Sequence, residues 1–386
     1  MDKNENFCIL PWLQLEIMPD GAIKTCCEQK SAYSNNPNDD LRSIFNSKPA
    51  NEIRRAFKNG EVPANCRECI ERSKISTTYK TSVSPQWEQH TLAALNATNE
   101  DGSTDFPIKF LDLRFSNLCN FTCRTCESYS SNRWSELDKQ LNRYSHPLST
   151  WDTNSLALEN IYKILPEVEQ IYFAGGEPLI IEGHYKVLNW LIDNKRTDVK
   201  LLYNTNLSIS SYKGVDIRQY WDKFDLVSLQ ISLDSIEEKG EYIREGLNWN
   251  RFQKNYNHLN GYISGSNTVV SVYNIFSVLE VVKWLHCEKN IIVYLYPLFH
   301  PEEMSMTILP LELKEKVAEK IFAFIKENDV HPQQKEELEL NVNYMMSRDD
   351  SHLSSTFKKN NDIIDRYHQK EFCSTFPELS EWYKKI

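Results

Sequence analysis

Residues 226–234 read LVSLQISLD. Val227, Leu229, Ile231 and Leu233 alternate there with Ser228, Gln230, Ser232 and Asp234, the period of two of a half-buried strand. Five further segments have strand character: IKFLDLRFS (108–116), VEQIYFAG (168–175), VKLLYNTN (199–206), TVVSVYN (268–274) and IIVYLYPL (291–298). Helical patterns lie between them. In EGHYKVLNWLIDN, Tyr185, Leu188, Leu191 and Ile192 fall on one face. Repeated strand–helix units predict an α/β fold with parallel strands and right-handed crossovers. Six units are too few to close an eight-stranded barrel, so the pattern predicts an open, partial (β/α)6 barrel over residues 106–300. Residues 1–80 read as a small domain of short elements, with PDGAIK as a tight turn between two short strands. Residues 81–105 are polar and read as a connector. Residues 301–386, with LPLELKEKVAEKIFAFIKEN, read as helical.

The 386 residues suffice for two or three domains. A net charge of −10 argues against a general grip on nucleic acid. No apolar run reaches the roughly 18–20 residues of a membrane span. The start, MDKNENFCILPWLQLEIM, lacks the basic opening of a signal peptide, so a cytoplasmic setting is expected. The ten cysteines change the picture most: Cys8, Cys26, Cys27, Cys66, Cys69, Cys119, Cys123, Cys126, Cys287 and Cys373. In a reducing compartment, clustered cysteines hold metal or do chemistry more often than they pair.

Cys119, Cys123 and Cys126 follow directly on the first predicted strand, where parallel α/β folds carry their chemistry. A [4Fe–4S] cluster normally takes four thiolates. Three would leave one iron open to a substrate or cofactor. A three-cysteine zinc site with a distant fourth ligand, or chance spacing, are the alternatives. Nearer the N-terminus, the predicted hairpin returns Cys26 toward Cys8, and Cys66 and Cys69 stand two residues apart. Those four thiols can hold a second centre, with Cys27 a spare or an alternative to Cys26. A structural zinc ribbon fits the same four.

The three-cysteine spacing after LDLRFSNLCN resembles the signature of radical S-adenosylmethionine enzymes, and the resemblance extends over roughly residues 108–300. It implies a cluster on Cys119, Cys123 and Cys126 that binds S-adenosylmethionine. The stretch Gly175-Gly176-Glu177-Pro178 matches the family's GGEP and would hold the cofactor's amino group. Glycines permit close backbone approach, and a carboxylate pairs with an ammonium. Asn204 ends the third strand. Ser232 and Asp234 correspond to the polar positions near the ribose, and Arg244 to the carboxylate ligand, which suits its two-pronged donor geometry. Pro297 and Leu298 end the sixth strand, where the family lines the adenine. Thr125 stands where many members carry an aromatic residue, which leaves Phe121 as a candidate substitute.

Residues 1–80, through CILPWLQLEIMPDGAIKTCC (8–27) and VPANCRECI, resemble the auxiliary-cluster (twitch or SPASM-like) domain of the same enzymes. Here it precedes the barrel, an order shared with a subgroup that the barrel also resembles in LDLRFSNLCNFTC and YIREGLNW. A second [4Fe–4S] cluster on Cys8, Cys26, Cys66 and Cys69 is implied. Relatives with such a domain often modify peptides. Cys373, outside both groups, becomes a candidate hydrogen donor for L-to-D epimerisation of a peptide residue, and a structural role is the alternative. An electron donor such as flavodoxin or ferredoxin is implied, and no membrane or nucleic-acid partner. Oxidative peptide crosslinking, modification of a small molecule, and a non-catalytic zinc-binding interaction module remain open beside epimerisation. Cys287, in VVKWLHCEKN, reads as core packing.

Overall fold

In a computed structural model of the chain, which describes residues 6–73 and 78–386, all six predicted strands are present. By contact the chain divides into two units: Met1–Leu118, Leu148–Tyr203 and Ile217–Val227 form the first, and Cys119–Pro147, Asn204–Asp216 and Ser228–Ile386 the second. The fold is α/β, with parallel strands separated along the chain by helices.

In the first unit, β1 (Gln14–Ile17) and β2 (Ile23–Lys24) form an antiparallel hairpin. Asp20-Gly21 lies at its turn, and Gly21 takes φ +85°. β3 (Phe110–Leu113), β4 (Gln170–Phe173) and β5 (Lys200–Thr205) follow in parallel. The hairpin is joined to this sheet, because β1 pairs in parallel with β3. Its register sets Glu16 opposite Asp112, which lies opposite Tyr172. Leu15, Ile17, Leu111, Leu113, Ile171 and Phe173 are the alternate positions, and all are buried.

The N-terminal region packs around Trp12. Ala50, Ile53, Arg54 and Phe57 fall at helical spacing on the buried side of the Lys48–Lys58 helix, which has a proline in its first turn. Arg54 is wholly buried and donates to the carbonyls of Pro11, Phe45 and Gly102 at 3.0, 2.7 and 2.7 Å. Trp12 Nε1 donates to Thr98 Oγ1 at 2.7 Å. The 81–105 stretch that reads as a connector is ordered into a 3-10 helix (Ser84–His90) and an α-helix (Thr91–Asn96). Trp87 and Ala94 join the same core as Trp12, so two apolar anchors override the polar composition around them.

In the second unit, β7 (Ile263–Val270) pairs in parallel with both β6 (Val227–Ser232) and β8 (Val293–Pro297). β7 begins five residues before its predicted start. A register shift between Ile263 and Gly265 breaks the alternation that a sequence reading relies on. The C-terminal region is helical, as its periodicity predicts: Leu311–Glu327, Pro332–Ser347, Ser354–His368, Phe372–Thr375 and Pro377–Lys385. Among the described residues, no helix is long and apolar enough to cross a membrane.

Candidate metal centres

The hairpin, a short helix and the chain start bring four cysteines to one place in the first unit. Cys26 stands two residues past the end of β2. Cys66 ends a 3-10 turn (Ala64–Cys66), and Cys69 lies on the next helix (Arg67–Arg72). Cys8, Cys26, Cys66 and Cys69 line a single small cavity, open to solvent, with Leu10, Phe57 and Ile70 among its apolar walls. Burial pushes the Cys8 thiol up to about 11, against hydrogen bonds from the Leu10 backbone and Ser84. Burial, with Cys8 and Cys69 adding, lifts Cys66 to about 12. Cys26 is raised by burial and then by Cys27, Cys8, Glu16 and Cys66. Thiols this reluctant to ionise alone are released by a cation that takes the proton's place. Four sulfurs around one cavity fit a cluster's four thiolates. Cys27 does not line that cavity. It is exposed, and its charged surroundings are Glu16, Arg114, Glu28 and Asp112.

Beneath the hairpin lies a group that the sequence reading missed. Arg114 Nη2 sits 2.8 Å from Glu16 Oε1 and 3.0 Å from Asp112 Oδ2. Glu16 and Asp112 are wholly buried. Burial pushes the Glu16 carboxyl up to about 7, against the pull of Arg114 and Lys24. Only the parallel β1–β3 register brings Glu16 to this pair. The available signal was Asp112 and Arg114 alternating on one face of an apolar strand.

The GGEP turn also belongs to the first unit. Gly176 N–H donates to Ser116 O at 3.0 Å and Glu177 N–H to Leu118 O at 2.9 Å. Gly175 takes φ +107°. A Cβ on Gly176 would stand 2.0 Å from the Leu118 carbonyl oxygen, so only glycine fits. Glu177 is buried, and its Oε1 accepts from Leu179 N–H at 3.1 Å.

The three-cysteine loop lies in the second unit. Cys119 N–H donates to Asn132 Oδ1 at 3.1 Å, and Cys126 N–H to Cys123 O at 3.0 Å. Thr122–Cys123 pairs antiparallel with Arg244–Glu245, setting Arg244 opposite Cys123. Burial pushes Cys123 up to about 12, with Arg244 pulling down and Cys119 and Asp234 pushing up. Cys126 is raised by burial, then by Cys123 and Cys119. Arg244 Nη1 lies 2.8 Å from Asp234 Oδ2, while its buried Nε has no hydrogen-bond partner. A cationic donor beside three thiols, with one N–H unused, fits an anionic ligand at a cluster those thiols hold.

Other expected residues take different places. Asp234 is wholly buried; its Oδ1 accepts from Val269 N–H at 2.9 Å and its Oδ2 pairs with Arg244. Asn204 Oδ1 accepts from Asn267 Nδ2 at 2.8 Å. Ser232 and Pro297 are half-buried, and Leu298 is buried. Phe121 is 1% exposed, and a Cβ on Gly246 would stand 2.7 Å from its ring. It is core rather than a platform for adenine. Asn206, which ends the third predicted strand two residues after Asn204, donates from Nδ2 to Asn120 Oδ1 within the cysteine loop, at 2.9 Å. Cys373 is half-buried on the Phe372–Thr375 helix, and Cys287 is exposed, not core. Among the described residues, no three His, Cys, Asp or Glu side chains converge on a single-ion site.

No curated protein sequence matches the chain. Native anSMEcpe with bound AdoMet is 16% identical, with a TM-score of 0.39, over 58% of this chain and 63% of that one. The same protein with AdoMet and the Cp18Cys peptide is 16% identical, with a TM-score of 0.38, over 58% and 62%. SuiB of Streptococcus suis, bound to S-adenosylmethionine, is 14% identical, with a TM-score of 0.36, over 69% and 58%. The chain thus spans less than two thirds of the length of these structures. Residues 8–70, which hold the four thiols around the first cavity, match the family model of SPASM, an iron–sulfur cluster-binding domain.

Proposed function

We propose that the chain is a radical S-adenosylmethionine enzyme that acts on a peptide and inverts one of its residues. The observation that carries the first part is the unused Arg244 Nε beside Cys119 and Cys123. The matched iron–sulfur segment supports it. Cys119, Cys123 and Cys126 would hold one cluster, and Cys8, Cys26, Cys66 and Cys69 the auxiliary one. Bound and reduced, the first supplies the electron that splits S-adenosylmethionine, giving a 5′-deoxyadenosyl radical that takes a hydrogen atom from the substrate.

The chain's own residues bind and orient. Arg244 offers its free Nε–H to the cofactor carboxylate, and Asp234 holds the guanidinium at the angle that presents it. The Gly175-Gly176 backbone allows close approach, and Glu177 supplies the carboxylate for the ammonium. The Cys373 thiol gives a hydrogen atom to the face of the substrate radical opposite the one abstracted. Its thiyl radical then recovers one electron and one proton from a reductant of the flavodoxin or ferredoxin class. The half-buried position of Cys373 favours the role, since a fully buried thiol could not meet a substrate.

The test is reconstituted full-length protein with dithionite, S-adenosylmethionine and a candidate peptide in D₂O. Release of 5′-deoxyadenosine, a gain of one mass unit at one residue and D-configuration there are expected. Cys373→Ala should still release 5′-deoxyadenosine and form no D-residue. A crosslinked or dehydrated peptide without deuterium would replace epimerisation by oxidative chemistry. A wild-type protein that never releases 5′-deoxyadenosine ends the whole reading.

A further inference from the structure

Arg124 stands between Cys123 and Cys126 and is wholly buried. Nothing in the cofactor reading needs it. A buried guanidinium is costly unless it is paired, so its partners show what it holds together. Its backbone N–H donates to Ile243 O at 2.8 Å, and its Nε to Tyr242 O at 2.9 Å. Both acceptors lie on the two residues before Arg244. The guanidinium carbon sits 3.5 Å from the centroid of the Tyr242 ring. Nη1 donates to Asn361 Oδ1 at 2.9 Å, and Nη2 lies 2.6 Å from Asp365 Oδ1. Asn361 and Asp365 share the Ser354–His368 helix. Tyr242 O–H also donates to Asp365 Oδ1, at 2.6 Å.

Asp365 faces a second way. Its Oδ2 accepts from Phe372 N–H at 2.9 Å, and its backbone carbonyl from Lys370 N–H at 2.9 Å. Phe372 is the neighbour of Cys373. One carboxylate therefore ties the cysteine loop, the backbone leading to Arg244 and the segment bearing the candidate donor thiol.

We propose that Arg124, held by Asp365 and Asn361, is a positioning residue for cofactor binding, fixing Arg244 against the three-cysteine loop and anchoring the Cys373 segment to the same point. The inference rests on the radical S-adenosylmethionine reading. Its chemical basis is the guanidinium fork: Nε and Nη1 donate to two separate acceptors while Nη2 is ion-paired with Asp365, an arrangement that a lysine ammonium at the end of a flexible stem cannot reproduce. The C-terminal helices thereby become part of the cofactor site without touching the cofactor.

The test compares the reconstituted full chain with Arg124→Lys, Asp365→Asn and Asp365→Glu. Iron content and the spectral shift on adding S-adenosylmethionine to the reduced protein are read together. Arg124→Lys and Asp365→Asn should keep wild-type iron and bind S-adenosylmethionine at least about tenfold more weakly, about 1.4 kcal/mol. Asp365→Glu should recover most of that affinity. Wild-type affinity in Arg124→Lys overturns the proposal. So does a loss of affinity matched by an equal loss of iron, which would make Arg124 a structural tie of the loop alone. If Asp365→Asn does not fold, Arg124→Lys decides, because it keeps the charge and loses only the fork. Wild-type protein that takes up iron yet shows no shift with S-adenosylmethionine sinks the underlying reading, and the proposal with it.

Discussion

At the scale of single residues, burial decides which groups keep a charge. His184 is wholly buried among aromatic rings, with Nε2 2.9 Å from Tyr203 Oη and Nδ1 unpartnered. Trp221 Nε1 donates to the same Tyr203 oxygen at 3.1 Å, so the tyrosine hydroxyl points at His184 and the imidazole accepts. Burial pushes its pKa down to about 3. A folded value below the unfolded one gives stability that is present above about pH 6.5 and is lost as pH falls toward 3. Between pH 7 and pH 5, wild type should lose about 2 kcal/mol relative to His184→Leu, measured by urea unfolding at both pH values. An unchanged difference would mean the ring is protonated in the fold. Arg244 makes the complementary case, where a buried donor keeps its charge. Replacing it by Gln should leave iron content unchanged and weaken S-adenosylmethionine binding by about 30-fold, the loss of a hydrogen bond to a charged group at about 2 kcal/mol. Equilibrium dialysis reads this directly.

At the scale of elements, the strands and helices near the sites are set by a few backbone contacts. Gly176→Ala would force a Cβ against the Leu118 carbonyl. That carbonyl is fixed by Glu177 N–H, so it cannot simply swing away. A melting temperature several degrees lower, with weaker cofactor binding, is expected; an unperturbed variant would show the turn to be looser than its contacts. Arg54 plays the same part for the N-terminal region. Truncation to Ala leaves the carbonyls of Pro11, Phe45 and Gly102 without this donor. That should cost about 3 kcal/mol or more, and should release the residues around Cys8 to proteolysis. Some of this level was legible in advance. The alternation in LVSLQISLD and the Asp-Gly turn are local, and both elements form as read. β7 was misplaced because its Gly265 and serine positions sit at a register shift, where no period survives. The 81–105 stretch is polar along its length, yet Trp87 and Ala94 anchor it in the Trp12 core, a tertiary contact that composition does not carry.

At the scale of the whole molecule, iron is the simplest count. Two clusters of four irons predict about eight irons per chain. Substituting Cys119, Cys123 and Cys126 together by Ala should leave about four, and so should substituting Cys8, Cys26, Cys66 and Cys69. A loss of all iron in either variant would show that the two centres do not assemble independently. Sequence alone determined the cysteine spacing, the strand–helix order and the hairpin, because each depends on residues close along the chain. It also narrowed the thiols of the auxiliary centre to five, since a hairpin and a two-residue gap have short reach. Only tertiary structure separated Cys26 from Cys27: Cys27 lies in the turn closed by Gln29 N–H on the Cys26 carbonyl, and which of the two side chains meets the cavity is fixed by packing. Likewise Glu16 meets Arg114, and Arg124 meets Asp365, across 98 and 241 positions. Such pairs follow from register and helix docking, and no local pattern carries that information.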